Sequence, residues 1–206
     1  MEFTSQIGQD KWVCEALSYK RDGFFLDIGA NNGIFYSNTL YLEKELGWSG
    51  VCIEPGLFPY RKLIKNRKCV CVRYFITDKN EIINFKEFHY GHGSIQGIQK
   101  VEGIRLDKLL PMLNCPEKID YVSLDVEGVE DKVLSGFPFD KYQVSLWTIE
   151  HNLTQTGPEL KNKIKEIMEK NDYRIVVEDL QHNNISFEDW YAHKSFDYGL
   201  GDWRQV

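Results

Sequence analysis

The stretch "GFFLDIGANNG", residues 23–33, decides the fold class of this chain. Its apolar run from Phe24 to Ile28 predicts a buried strand, after which Gly29 and Gly33 bracket two asparagines. Glycines at these places let the backbone approach a ligand closely and enter the next helix. Strand-like and helix-like segments alternate along the chain, which is typical of a mostly parallel sheet with helices on both faces. The sequence therefore predicts an α/β fold with a ligand-binding turn after the first strand.

Length and composition indicate one domain spanning residues 1–206. The chain is 42% hydrophobic and 27% charged, with a formal net charge of -6. This acidic balance gives no electrostatic footprint for nucleic acid. The sequence has no apolar run of the roughly 18 residues that a membrane span needs, and its first residues lack a targeting pattern. We expect a cytoplasmic protein with no nucleic-acid partner and no membrane span.

The predicted elements alternate regularly except at three places. Strands are predicted at 24–28, 51–53, 69–76, 119–124, 144–149 and 173–177, with a candidate seventh strand after Ile185. Helices are predicted at 5–19, 34–46, 57–66, 106–113, 130–134 and 159–171. The three exceptions are the N-terminal segment 1–22, which holds the leading helix, an excursion at 79–103, and an aromatic C-terminal tail at 185–206.

Polar and acidic residues follow five successive predicted strands. In chain order they are Asp27, Glu54, Asp78, the pair Asp125 and Glu127, and the run Glu150, His151 and Asn152. Ligands of open parallel sheets bind at the carboxyl ends of the strands. We therefore expect these side chains to surround one ligand site.

The first two acids favour S-adenosylmethionine over a nicotinamide cofactor. A carboxylate at Asp27 would repel a pyrophosphate, but it suits a cationic group such as an α-amino group or a sulfonium. The G-x-G-x-x-G pattern that dinucleotides prefer is missing from the turn. Glu54, about 20 residues beyond the turn, is placed to accept hydrogen bonds from ribose hydroxyls.

Several longer stretches resemble the FkbM family of S-adenosylmethionine-dependent methyltransferases. They are "SQIGQDKWV" at 5–13, "GFFLDIGANNG" at 23–33, "SNTLYLEKELGWSGVCIEP" at 37–55, "IDYVSLDVEGVEDKVLSGF" at 119–137 and "IEHN" at 149–152. The resemblance implies a class I methyltransferase Rossmann-like fold with a seven-stranded sheet whose last strand is antiparallel. It also implies transfer of a methyl group to oxygen, mainly to sugar hydroxyls of glycans or glycosylated metabolites and to polyketide hydroxyls.

The resemblance assigns residues to the cofactor. Gln9 is expected at the methionine end, Glu54 at the ribose and Asp78 at the adenine, although capping of a helix explains Gln9 nearly as well. The full predicted cofactor set is Gln9, Asp27, Gly29, Asn31, Gly33, Glu54, Asp78 and Asp125.

Transfer to a hydroxyl requires removal of its proton by a general base or with a metal ion. The predicted catalytic set is Asp125, Glu127, Glu150 and His151. In one mechanism His151 or Asp125 takes the proton directly. In the other, Asp125 with Glu150 or Asn152 holds Mg²⁺, Mn²⁺ or Ca²⁺, for which oxygen ligands are suited. We favour the direct base because a histidine is available.

The acceptor is expected to be a glycan or a glycosylated small molecule, methylated on a sugar such as the deoxyhexose rhamnose. Its predicted contacts are His89, His92, Ser94, Asn152 and Trp190, although a terminal aromatic such as Trp190 more often closes a core. The chain could also be one domain of a larger glycan-building protein. The competing hypotheses are a non-catalytic cofactor-fold binding module and a nicotinamide-dependent reductase.

Overall fold

A seven-stranded sheet forms the centre of the computed structural model, which describes residues 1–88, 95–153, 157–182 and 185–196. The strands are β1 (Phe24–Ile28), β2 (Ser49–Ile53), β3 (Val70–Val72), β4 (Phe75–Ile76), β5 (Glu81–Phe88), β6 (Ile95–Ile104), β7 (Lys118–Leu124), β8 (Gln143–Glu150), β9 (Tyr173–His182) and β10 (Ile185–His193). The large sheet has the order β3-β2-β1-β7-β8-β10-β9, and β10 runs antiparallel to both of its neighbours. This confirms the predicted seven-stranded sheet with an antiparallel last strand.

Helices cover both faces of the sheet. They are α1 (Gln9–Ala16), α2 (Leu40–Leu46), α3 (Leu57–Asn66), α4 (Leu106–Met112), α5 (Glu130–Ser135) and α6 (Pro158–Lys170). On the face that we call the α1 face, Trp12, Leu42 and Leu63 pack against alternate strand residues. On the opposite face, the α6 face, buried residues of α4, α5 and α6 pack against the remaining strand residues. None of the helices in the described ranges is long and apolar enough to cross a membrane.

The turn after β1 joins the ends of three strands. The N–H groups of Gly29 and Ala30 both donate to the carbonyl of Ile53, at the end of β2. Gly29 has a φ of +96°, and a Cβ at this position would lie 1.7 Å from the carbonyl oxygen of Asp125, just after β7. A side chain would therefore push β1 and β7 apart, which explains the need for glycine here.

The helix predicted at 34–46 begins six residues late. Asn32 accepts hydrogen bonds from the N–H groups of Ile34 and Phe35, and Tyr36 has a φ of +53°. These features hold the segment before α2 in a turn, because an asparagine side chain competes with the helix for backbone donors. The leading helix is also shorter than predicted, since Asp10 accepts the backbone N–H groups of Thr4 and Ser5 and keeps that segment out of α1.

The strand predicted at 69–76 is two strands in two sheets. β3 pairs with β2 in the large sheet, whereas β4 pairs with β6 in a three-stranded sheet of order β4-β6-β5. Between them the Arg73 guanidinium donates to the Pro55 carbonyl and to Gln99, which ties the crossing segment to both sheets. The excursion predicted at 79–103 is mostly the antiparallel pair β5 and β6 of this second sheet.

Candidate active site

A cavity of about 710 Å³ lies at the carboxyl ends of β1, β2, β7 and β8. This volume is within the range of about 300–1,000 Å³ that small-molecule sites occupy. The acidic residues of its lining are Asp27, Glu54, Asp125, Glu127, Glu150 and Glu188. No lysine, arginine or histidine is present among the described residues that line it. The electrostatic environment of the cavity is therefore strongly acidic.

Asp27 contributes a nearly buried carboxylate to the cavity. Its Oδ2 accepts a hydrogen bond of 2.5 Å from the Thr39 hydroxyl and lies 3.9 Å from Nη1 of the buried Arg67. Burial raises the pKa of Asp27, while the Arg67 guanidinium opposes that rise. Arg67 is closer to Glu43, at 2.7 Å, so it compensates Asp27 incompletely. The geometry leaves Asp27 able to stabilise a cationic group of a ligand.

Glu54 is fixed in place by the backbone. One carboxylate oxygen accepts the N–H of Asn31 at 2.9 Å, and the other accepts the N–H of Gly56 at 2.6 Å. A carboxylate has about four acceptor sites, so further hydrogen bonds from a ligand can be accommodated. The contact with Glu54 also explains the left-handed conformation of Asn31, whose φ is +48°.

Asp125 and Glu150 form a carboxyl pair at the ends of the adjacent strands β7 and β8. Their side chains are hydrogen-bonded to each other, and the Asn152 amide donates to Glu150. Burial, reinforced by nearby carboxylates, raises the pKa of both groups. Two neighbouring buried carboxyls favour a state in which only one of them is charged, because like charges repel each other. Oδ1 of Asp125 is buried and has no hydrogen-bond partner among the described residues.

Glu188 is a cavity residue that sequence reasoning missed. It lies on β10 directly opposite Glu150 and is 2% exposed. Its carboxyl accepts hydrogen bonds from Nε2 of Gln9, at 3.2 Å, and from Nε1 of Trp190. Burial raises its pKa to about 8. The antiparallel pairing of β10 with β8 places this acid in the cavity, and no local sequence pattern sets that pairing.

Glu127 lies at the outer edge of the cavity. It has a φ of +60° and is exposed. The acid that accepts the N–H groups of Val126 and Gly128 before α5 is Glu130. Glu127 thus remains available to a ligand, whereas Glu130 stabilises the loop.

His151 requires a correction, because it lies on the α6 face and not in the cavity. β8 ends at Glu150, and the side chain of the next residue, His151, lies beside Asp189 and away from the cavity. The His151 side chain is 1% exposed, and its Nε2 lies 3.4 Å from Oδ1 of Asp189. The Lys161 ammonium of α6 lies 3.8 Å from the same oxygen. The predicted role of His151 as a general base is not compatible with this position.

Trp190, Gly33 and Asp78 also lie away from the cavity lining. Trp190 is 1% exposed and stacks on Trp12 at 4.6 Å, so its ring has no face free for a sugar. Gly33 allows close packing of Leu63 and Arg67, where a Cβ would be 2.6–2.7 Å from their side chains.

Asp78 follows β4, in the second sheet, and accepts a hydrogen bond from the Thr77 hydroxyl. Because β3 ends at Val72, the cavity wall in this region is formed by Tyr74, Phe75 and Ile76. Asp78 is not among the described residues that line the cavity, and its contact with adenine stays a prediction.

The remaining predicted residues divide into three groups. Gln9, Gly29 and Asn31 line the cavity. Asn152 is 9% exposed and reaches the site through its hydrogen bond to Glu150. His89, His92 and Ser94 lie outside the described residues.

One histidine and two aspartates that could ligate a metal ion converge on the α6 face. Atoms of His151, Asp179 and Asp189 lie within 4.8 Å of one another. The Lys161 ammonium, 2.6 Å from Asp179, already supplies a cation there. At the predicted metal ligands, by contrast, the Glu150 carboxyl is hydrogen-bonded to both Asp125 and Asn152. The Asn152 amide thus holds the Glu150 carboxyl in place.

Three solved structures share this fold at low sequence identity. A putative O-methyltransferase from Klebsiella pneumoniae is 9% identical with a TM-score of 0.60, over 95% of this chain and 84% of that one. Precorrin-6y C5,15-methyltransferase from Geobacter metallireducens is 11% identical with a TM-score of 0.52, over 89% and 86%. TrmK from M. capricolum, solved with S-adenosyl-homocysteine, is 14% identical with a TM-score of 0.51, over 92% and 71%. The fold is that of the class I methyltransferases.

The family follows from the sequence. Residues 27–175 match the family described as the methyltransferase FkbM domain, which is well over half of the chain. The chain therefore belongs to the FkbM family of S-adenosylmethionine-dependent methyltransferases, as its sequence predicted. No curated protein matches the chain.

Proposed function

We propose that this protein is an O-methyltransferase that uses S-adenosylmethionine to methylate a hydroxyl of a sugar, with a deoxyhexose such as rhamnose as the first acceptor to test. The observation that supports the proposal is that one cavity is lined by the neighbouring carboxyls of Asp125 and Glu150 together with Asp27 and Glu54. A hydroxyl is a poor nucleophile at neutral pH, and a carboxyl whose pKa is raised is a suitable general base.

The cavity residues fit this cofactor. Gly29 and Asn31 of the turn after β1 line the cavity, so a ligand can contact this turn. Asp27 would stabilise the cationic end of the cofactor, and Glu54 would accept hydrogen bonds from its ribose. Tyr74 and Phe75 offer aromatic surface for the adenine. When bound, the cofactor supplies an electrophilic methyl group on a sulfonium.

The protein would contribute a base and a position for the acceptor. Oδ1 of Asp125 would accept the proton of the acceptor hydroxyl, because it lacks another partner among the described residues. Glu150 would keep the proton shared by the pair, and Asn152 would fix its orientation. Gln9, held by Glu188, would position groups near the reacting hydroxyl.

The proposal is tested by incubating the protein with S-adenosylmethionine and a panel of methyl glycosides of rhamnose, fucose, glucose, mannose and galactose. We expect release of S-adenosyl-homocysteine together with a product that mass spectrometry identifies as an O-methyl sugar. Activity that persists in EDTA would support the direct base, and loss that Mg²⁺, Mn²⁺ or Ca²⁺ restores would support the metal mechanism. Cofactor binding without methylation of any sugar in the panel would contradict the proposal and favour a non-catalytic binding module. Tight binding of NAD instead of S-adenosylmethionine would favour a reductase.

A further inference from the structure

Two exposed aromatic side chains stand at the mouth of the cavity. Phe35 is 54% exposed and Tyr36 is 49% exposed, although both contribute to the cavity lining. Their ring centroids are 3.9 Å apart. We call this pair the aromatic lip. Leaving two such rings in water forgoes burial that would otherwise stabilise the fold, so the lip is a candidate contact surface.

The lip is held in place by the turn that precedes α2. The N–H of Phe35 donates to Asn32 at 2.9 Å, and the Thr4 hydroxyl donates to the Ser37 carbonyl at 2.7 Å. Tyr36 adopts a left-handed backbone, which is unfavourable for a bulky residue and persists where surrounding contacts impose it. The two rings are thus presented to the cavity mouth in a fixed arrangement.

The charge of the cavity restricts what can bind beside the lip. Six acidic residues line it, and its described lining has no basic residue. A phosphate group entering this cavity would meet carboxylates with no arginine or lysine to compensate them. Neutral hydroxyls, in contrast, can donate hydrogen bonds to carboxylates at little electrostatic cost.

We propose that the aromatic lip and the acidic cavity select an uncharged sugar, presented as a glycoside, and reject sugars that carry a nucleoside diphosphate. The apolar C–H face of the sugar stacks on the lip, since C–H groups are attracted to the negative face of an aromatic ring. The hydroxyls then point towards the carboxyls of the cavity. This inference rests on the proposed function, because it names the class of acceptor for the same site.

The first experiment compares two forms of each sugar with the wild-type protein. The methyl glycosides of the panel are assayed against nucleoside diphosphate forms of the same sugars, with S-adenosylmethionine saturating. We expect kcat/KM to be at least about tenfold higher for the glycoside. High salt should raise kcat/KM for the nucleoside diphosphate sugar part of the way, because salt screens the repulsion. Equal or better use of the nucleotide-activated sugar would overturn the inference and leave sugar O-methylation intact. Methylation of neither form would contradict the proposed function itself, and with it this inference.

The second experiment tests the aromatic lip directly. Phe35→Ala and Tyr36→Ala should each raise KM for the glycoside roughly two- to tenfold, the value of an aromatic contact, with kcat and S-adenosyl-homocysteine affinity unchanged. Tyr36→Phe should restore the wild-type KM because it keeps the ring. The matched control is Phe58→Ala, which removes a ring 45% exposed on α3 outside the cavity lining. Unchanged KM in both lip variants, or an equal loss of S-adenosyl-homocysteine affinity, would overturn the assignment of the lip to the acceptor.

Discussion

Buried acids of β8 and β10 lie on opposite faces of the sheet. Glu150 and Glu188 face the cavity, whereas Asp189, beside Glu188 in sequence, faces α6 together with His151. The α6 group includes the Lys161 ammonium, 3.8 Å from Asp189. The cavity group has no basic residue in its described lining. One step along β10 therefore separates Asp189, which has an ammonium nearby, from Glu188, which has no basic residue beside it in the described lining of the cavity.

The difference shows how the fold divides structural from functional charge. Removing one partner of a buried ion pair strongly destabilises the folded protein, because the other charge stays buried without compensation. Buried carboxyls without a counter-ion instead adopt a raised pKa and cost stability, a pattern that is common at functional sites. The two groups should consequently respond to substitution in opposite ways.

The largest expected effect is loss of activity in Asp125→Asn. Removing the base should lower kcat by about 10²- to 10⁴-fold, the usual contribution of general base catalysis. S-adenosyl-homocysteine affinity and the free energy of unfolding should not fall, because the acid is uncompensated. Single-turnover assays, calorimetry and urea unfolding measure the three quantities. The control Asp140→Asn changes an exposed acid outside the cavity and should leave all of them unaltered. A loss of unfolding free energy as large as the increase in activation free energy would contradict the division between structural and functional acids.

Lys161→Met should have the opposite profile. Its side chain is 11% exposed and contacts Asp179 and Asp189, so its removal leaves buried charge unpaired. We expect a loss of about 3 kcal/mol in the free energy of unfolding, with S-adenosyl-homocysteine affinity retained. Lys163→Met is the control, since its side chain is 63% exposed and pairs with Asp131 at 3.5 Å. Equal unfolding free energies of the two variants would show that the acids of the α6 group do not need the Lys161 ammonium for stability.

Glu54→Gln should weaken cofactor binding. The substitution removes the charge from hydrogen bonds that we assign to the ribose, and each charge-assisted bond is worth about 1.5–3 kcal/mol. We expect S-adenosyl-homocysteine affinity to fall roughly 10- to 100-fold in calorimetry. Glu81→Gln, at an exposed position that begins β5, is the control. Unchanged affinity in Glu54→Gln would mean that the carboxylate serves only the N–H groups of Asn31 and Gly56.

The sequence could predict which acidic residues lie at the ends of strands. It could not predict the direction of every side chain or the pairing of the strands. Asp27, Glu54 and Asp125 follow strands that the apolar pattern identifies, and the structure brings them to one cavity. The sequence does not show that the segment 69–76 crosses from β3 to a second sheet, and this crossing keeps Asp78 out of the described cavity lining. His151 follows the last residue of β8, so the strand pattern does not set the direction of its side chain.

Glu188 and Trp190 depend on how β10 pairs with its neighbours. Both residues occur in an aromatic tail whose pattern does not show which face of the sheet each side chain joins. In the structure β10 lies between β8 and β9, with irregular register against β9. That register directs Glu188 into the cavity and Trp190 onto Trp12. Long-range pairing of this kind has no local signal, so the position of Glu188 could not be predicted, whereas Trp190 closes the core, as a terminal aromatic more often does.

The smallest expected effect concerns the pH dependence of stability. Burial raises the pKa of Glu188 from 4.5 to about 8. The folded protein therefore binds more protons than the unfolded chain in this range, and its stability falls as the pH rises from about 4.5 to 8. In Glu188→Gln this fall should be smaller, because a neutral amide replaces the titrating group.

Urea unfolding of the ligand-free protein at pH 5 and pH 8 measures the change in Glu188→Gln. Glu102→Gln, on an exposed position of β6, should keep the wild-type pH dependence. Equal slopes for wild type and Glu188→Gln would mean that Glu188 is ionised at both pH values. Water or a cation would then have to compensate it in solution, and the contrast with the Lys161 group would disappear. If Glu188→Gln alone reduces the pH dependence of the unfolding free energy, then Glu188 on β10 is a buried acid without a counter-ion.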